Sequence, residues 1–105
     1  MEGRNVPKEI KIGPLDINRE RFEISIDGEP ITFPKKEFEI LFYLASQPGK
    51  VFSRETMLKD IWGDDIFVVE RTVDVHVRKI REKMGEFADF IETVKGVGYR
   101  FKIPE

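Results

Sequence analysis

A chain of 105 residues, 40% of them apolar, has the material for one globular domain with a modest core and leaves no room for a second. It has no cysteine, which excludes disulfides and thiolate metal sites, and no run approaches the roughly 20 apolar residues that span a bilayer, so a soluble, cytoplasmic protein without membrane contact is expected. The formal charge of −2 speaks against nucleic-acid binding, whose footprint is ordinarily basic, but it is unevenly spread: residues 1–34, 35–70 and 71–105 carry net charges of −2, −2 and +2.

Residues 1–7 lead into no apolar run and read as a tail or linker remnant, with the domain occupying 8–105. Next comes strand-like alternation: Ile10 and Ile12, Leu15 and Ile17, Phe22, Ile24 and Ile26, then Ile31 and Phe33. Gly13-Pro14, the polar run 18–20 and Asp27-Gly28 separate these groups. The last pair tolerates positive φ and predicts a tight hairpin. Four short antiparallel strands with one buried face are therefore expected.

The period then changes to that of a helix. Phe38, Leu41, Phe42 and Ala45 form a stripe that Ile40 and Leu44 widen and Pro48-Gly49 ends. After an extended piece at 50–52, Ser53 is placed to cap a second helix with Met57, Leu58, Ile61 and Trp62 as its apolar side, and Phe52 and Met57 have the spacing of a hydrophobic staple. Gly63 closes that helix. The loop 63–69 is both acidic, at Asp64 and Asp65, and apolar, at Ile66, Phe67, Val68 and Val69. A third helix is expected over 70–84, where Val73, Val77, Ile80 and Met84 mark a buried stripe and Gly85 a left-handed stop. Strands at 90–94 and 99–103, joined through Lys95-Gly96-Val97-Gly98, complete the chain, and the fold class is α+β.

Chemistry points to the far side of the third helix. Residues 71–84 carry five Lys/Arg against two acids, and at 100° per residue Arg71, Thr72, Val75, Arg78, Lys79 and Glu82 lie opposite the buried stripe, with His76 and Arg81 on its flanks. On charge alone, a solvated face and a phosphate-binding face fit equally well. Val75 discriminates between them. A solvated helix gains nothing from a β-branched residue of poor helix propensity, whereas a helix in the major groove can set it on a thymine methyl. Arg78 and Lys79 are then the central candidates for base edges, with flanking cations on the backbone. In the hairpin, Gly96 and Gly98 permit a slim tip, Lys95 stands at its start, and Arg100 and Lys102 alternate with Tyr99, Phe101 and Ile103. Taken alone, those glycines fit a plain surface hairpin better than a groove-binding one. The single histidine, the lack of a nucleophile elbow or P-loop, and an adjacent acid pair that fits plain surface better than Mg²⁺ give catalysis and cofactors no footing.

The stretches Arg71-Thr72-Val73-Asp74-Val75-His76-Val77-Arg78-Lys79-Ile80-Arg81 and Thr93-Val94-Lys95-Gly96-Val97-Gly98-Tyr99-Arg100-Phe101 closely resemble the OmpR/PhoB family of bacterial two-component response regulators, in their C-terminal effector domain. Lys36-Glu37-Phe38-Glu39, Val51-Phe52-Ser53-Arg54-Glu55 and Ile61-Trp62-Gly63 extend the likeness in the same order. The resemblance implies a winged helix-turn-helix with an N-terminal four-stranded antiparallel sheet, three helices and a C-terminal hairpin wing, used for sequence-specific binding of double-stranded DNA in transcription regulation. It implies base contacts from Val75, Arg78, Lys79 and Glu82. Trp62, Arg71, His76, Arg81, Thr93 and Tyr99 would hold phosphates, and Lys95 would approach the minor groove; Thr72, Gly96 and Arg100 join these backbone and minor-groove contacts. Further implications are tandem binding to direct repeats by a domain that is monomeric alone, a contact of the loop at Asp64, Asp65, Ile66, Phe67 and Glu70 with RNA polymerase, and an N-terminal receiver domain outside this chain.

Three features depart from the family pattern. Pro34 stands where a capping Ser or Thr is usual, and Lys79 and Lys95 where arginine is frequent; lysine lacks the planar two-pronged donor. The acidic total charge motivates an alternative, a winged helix whose loop 63–70 binds protein and which no longer binds DNA.

Overall fold

The computed structural model describes residues 8–64 and 67–102. The expectations for residues 1–7, for Asp65 and Ile66 and for Ile103 lie outside the described residues. Strands β1 (Glu9–Ile12), β2 (Leu15–Asn18), β3 (Glu23–Ile26) and β4 (Glu29–Ile31) form an antiparallel meander in sequence order. Ile10 faces Ile17, Leu15 faces Ile26, and Ile17 faces Ile24. This single face is buried, as the period-two alternation requires. The β3–β4 turn has φ of 57° at Asp27 and 83° at Gly28, the double positive φ of a tight hairpin.

The ends of this sheet correct the expectation. Phe22 has φ 53° and lies before β3, not in it, and Phe33 lies beyond β4. One fact explains both. With Ile24 opposite Ile31, Phe33 would pair with Phe22, whose left-handed backbone cannot continue a ladder. Phe22 instead stacks on Phe38 with ring centroids 4.3 Å apart, and Phe33 packs partly buried against the core.

Helix α1 (Lys35–Ala45) buries Phe38, Ile40, Leu41, Phe42, Leu44 and Ala45, and begins at Pro34 without a side-chain cap, as the departure at that position predicts. Strand β5 (Phe52–Ser53) leads into α2 (Arg54–Met57), where Ser53 Oγ accepts the Thr56 N–H at 3.1 Å. Ser53→Ala removes this cap and should cost about 1 kcal/mol; a fall in melting temperature of roughly 4–8 °C is expected by circular dichroism. Beyond Met57 the second helix departs from the regular form expected of it. Leu58–Trp62 forms a π turn, which takes an extra residue per hydrogen-bonded ring and rotates later side chains away from a 3.6-residue stripe. Met57 is fully buried, whereas Leu58, Ile61 and Trp62 are only partly so.

Helix α3 (Glu70–Met84) occupies the expected range, and Val73, Val77, Ile80 and Met84 are all nearly inaccessible. Gly85 stops it with φ 59° and ψ −120°, a positive φ as expected but outside the left-handed helical region. A 3₁₀ turn, Gly85–Phe90, then precedes β6 (Ile91–Val94) and β7 (Gly98–Phe101). Phe90, expected to open the strand, ends this turn with its ring edge-on to Phe101 at 5.7 Å. The hairpin is also more than a hairpin. β5 pairs with β7, giving a three-stranded sheet in the order β5-β7-β6, so the wing is anchored beside the start of α2.

One buried acid ties the helices together. Glu37 on α1 is 4% exposed and accepts from Lys83 Nζ on α3 at 3.1 Å. Lys83 also lies 5.4 Å from the centroid of the Phe33 ring, so this cation of the 71–84 stretch is turned away from the outward face. Because Lys83 keeps a third of its surface in water, Lys83→Ala should cost about 1 kcal/mol rather than the several of a fully enclosed pair. Chemical denaturation should detect it as a lowered midpoint with an unchanged slope.

Candidate nucleic-acid interface

Burial of one stripe of α3 leaves the other side to solvent, and the exposed residues there are those the periodicity selects. Arg71, Val75, Arg78, Lys79 and Glu82 are exposed, and Thr72 is half-buried. Val75 retains 43% of its surface, and Arg78 pairs with Glu82 only loosely, at 3.9 Å with both side chains largely in water. An outer pair of this kind has little binding energy to lose when a stronger partner arrives.

The flanks are fixed by neighbouring elements. On one side His76 Nδ1 lies 2.8 Å from the Thr72 carbonyl oxygen and its ring meets the Trp62 ring edge-on at 5.4 Å. A carbonyl only accepts, so Nδ1 carries the hydrogen and Nε2 is the nitrogen left for other partners. Lys36 donates to the Ile61 carbonyl oxygen at 3.0 Å with its ammonium 5.4 Å from the Trp62 ring centroid.

On the other flank, Arg81 donates from Nε and Nη2 to the Ile91 carbonyl oxygen and from Nη2 to Thr93 Oγ1, at 2.7–3.1 Å, with its guanidinium 5.6 Å from the Tyr99 ring centroid. This brace joins helix to wing. Tyr99, on the apolar side of the hairpin as alternation places it and a phosphate contact by the resemblance, is only 6% exposed, and its hydroxyl donates to Asp74 Oδ1 at 2.5 Å. Burial first, and then that hydrogen bond, push the phenol above its ordinary range. Arg100 is paired across the strands with Glu92 at 2.5 Å.

The hairpin tip is Lys95-Gly96-Val97, all exposed, closed by Val97 N–H to the Val94 carbonyl oxygen at 2.9 Å. Gly96 has φ 79°, as a turn of this kind requires. Gly98 is different: it is buried in β7 opposite Ser53, so the expectation of two tip glycines holds for Gly96 alone.

Among the expected residues, Arg71, Val75 and Arg78 share one shallow depression. Two residues that sequence reasoning had not placed in the site, Arg54 and Asp74, complete it. They come from separate elements, and no local spacing announces them. Arg81 and Thr93 border a separate hollow with Asp89, Ile91, Glu92 and Lys102. Asp64, Phe67 and Glu70 are exposed on the segment before and at the start of α3. Among the described residues no group of three or more His, Cys, Asp or Glu is arranged to hold a metal ion.

Known proteins share this architecture. The family "Transcriptional regulatory protein, C terminal" matches residues 28–101. The heme response regulator HssR of Staphylococcus haemolyticus is 41% identical over 93 residues, which span 87% of this chain and 42% of that protein. The crystal structure of DrrB, a Thermotoga maritima OmpR/PhoB homologue, superposes with a TM-score of 0.80 at 38% identity over 90% of this chain and 44% of DrrB. The Klebsiella pneumoniae RstA DNA-binding domain, solved in complex with the RstA box, superposes with a TM-score of 0.81 at 28% identity, over 93% of this chain and all of that one. The chain thus spans less than half the length of HssR and DrrB and corresponds to an effector portion. With the winged helix-turn-helix architecture and the match over residues 28–101, the chain belongs to the OmpR/PhoB family of response regulators, as a C-terminal DNA-binding effector domain.

Proposed function

We propose that α3 reads duplex DNA from the major groove while the β6–β7 wing follows the adjoining backbone and minor groove. Val75 carries this reading. It is an exposed valine in mid-helix, surrounded by Arg71, Arg78 and Lys79 on the face opposite the core, a combination that suits a thymine methyl flanked by phosphates and base edges. Val75, Arg78, Lys79 and Glu82 are the base-facing set. Arg71, Thr72, His76 and Trp62 hold the backbone along one flank, and Lys95 and Gly96 reach the minor groove from the wing tip. Arg81, Thr93 and Tyr99 have polar atoms engaged across α3 and the wing, and Arg100 is braced on Glu92 within the wing, so Tyr99 serves to fix the wing against α3 while Arg81, Thr93 and Arg100 also offer phosphate their remaining donors.

The same reading extends to partners. A receiver domain precedes this portion in the whole protein, direct repeats bind copies in tandem, and the isolated domain is a monomer in the cytoplasm. No described helix is long and apolar enough to cross a membrane. The segment around Asp64, Phe67 and Glu70 meets RNA polymerase; the 89% exposure of Phe67 and 63% of Val69 beside acids support an interaction surface there.

Selection of bound sequences from a random duplex library tests the whole reading. Enrichment of a short motif in direct repeat is the expected result. Absence of any duplex binding at low salt and micromolar protein would sink it, and would favour the loop 63–70 as the functional surface of a protein-binding winged helix.

A further inference from the structure

Resting on the DNA-binding reading, we propose that Asp74 is a positioning residue: an acid on the DNA-facing helix that raises affinity, because it mounts the Arg54 guanidinium as a phosphate contact. A carboxylate beside phosphates ordinarily repels them, so the sign of its effect is the point at issue.

The geometry is that of a mount. A single oxygen, Asp74 Oδ1, accepts from the Tyr99 hydroxyl at 2.5 Å and lies 2.9 Å from Arg54 Nε, so α3, β7 and the start of α2 meet at one atom. Tyr99 is fixed in turn, buried in the core, opposite Phe52 in the sheet and with Arg81 5.6 Å from its ring centroid. The carboxylate is therefore held from the core side by a phenol with little freedom. Arg54 also meets the Tyr99 hydroxyl, but Asp74 supplies the opposite charge at this point, and without it the long arginine side chain would sample more rotamers. Held there, the guanidinium keeps 43% of its side-chain surface exposed and lines the depression shared with Arg71, Val75 and Arg78. Three guanidinium groups against one carboxylate leave that depression net positive, so the acid orders a cation without reversing the local field.

Fluorescence anisotropy with a labelled duplex of scrambled sequence, titrated at several salt concentrations, reads sequence-independent phosphate contacts. Asp74→Asn keeps the size and an acceptor for Tyr99 but not the charge that holds Arg54. It should weaken binding roughly 5-fold at low salt and make the salt slope shallower by about 0.9, as one lost phosphate contact requires. Arg54→Gln should give the same loss, and the double variant no more than either alone. Tighter or unchanged binding by Asp74→Asn, or losses that add in the double variant, would overturn the proposal and leave Asp74 a plain repulsive charge. Failure of the unmodified protein to bind any duplex is a separate result that overturns the DNA reading itself. Should Asp74→Asn lose its cooperative melt, Arg54→Gln alone decides, since an unchanged salt slope there removes the contact that Asp74 is said to mount.

Discussion

Gly98→Ala is expected to lower stability by roughly 3 kcal/mol or more, placing it among the most damaging single changes available to a domain of this size. A Cβ at that position would sit 1.9 Å from the Phe52 carbonyl oxygen, 2.8 Å from its carbon and 2.9 Å from Ser53 Cα. All three are backbone atoms, so no rotamer change relieves the overlap. Relief demands that β5 move off β7, and β5 has only two residues with which to hold on. Their loss would disturb Phe52, which is 5% exposed, and Ser53, whose side chain caps α2. The melting temperature should fall by about 10 °C or more, given 4–8 °C per kcal/mol for a domain near 100 residues. Gly96→Ala is the control. Its φ of 79° penalises alanine, but nothing lies within 4 Å of the added carbon, so a cost near 1 kcal/mol is expected. Equal losses from the two variants would show that β5 yields to the added carbon at little cost, so that its close approach is not what makes Gly98 necessary.

These two glycines also mark how far the sequence could be read. Both stand in one short motif and both fit a turn; what separates them is Phe52, more than 40 residues earlier, and no local pattern encodes that approach. Period-based reasoning succeeded where one element sets its own burial, as in α3, whose buried and exposed sides follow the 3.6-residue repeat. It also located the Asp27-Gly28 turn, because that geometry depends on residue type. It failed where a neighbour decides. Phe22 and Phe33 have strand character, yet one left-handed backbone removes both from the sheet, and the π turn after Met57 leaves no mark in the hydrophobic spacing. The site divides similarly. Arg71, Val75, Arg78 and Lys79 were legible from one helix. Asp74 with Arg54 and Tyr99, and Arg81 with Ile91 and Thr93, depend on three-dimensional neighbours 10 to 25 residues apart.

Within the outward face, Lys79 and Arg71 should fail in different ways when shortened. Lys79 stands at the centre of the exposed side of α3 and Arg71 in its first turn, so in the proposed docking Lys79 meets base edges and Arg71 the DNA backbone. Lys79→Ala is therefore expected to cost about 1–3 kcal/mol on the preferred sequence and far less on others, so that preference at one base pair relaxes. Arg71→Ala should weaken every duplex alike and reduce the salt slope by about one, since a lost phosphate contact no longer releases its counterion. Lys79→Arg sharpens the distinction. A guanidinium offers guanine two parallel donors that an ammonium does not, so this change should tighten binding to duplexes carrying guanine at the contacted position and leave the salt slope unaltered. Titrations of the three variants against selected and scrambled duplexes, at two or more salt concentrations, separate the two roles. If Lys79→Ala and Arg71→Ala lost the same affinity on every duplex, both side chains would be backbone contacts, and base reading would fall to Val75, Arg78 and Glu82.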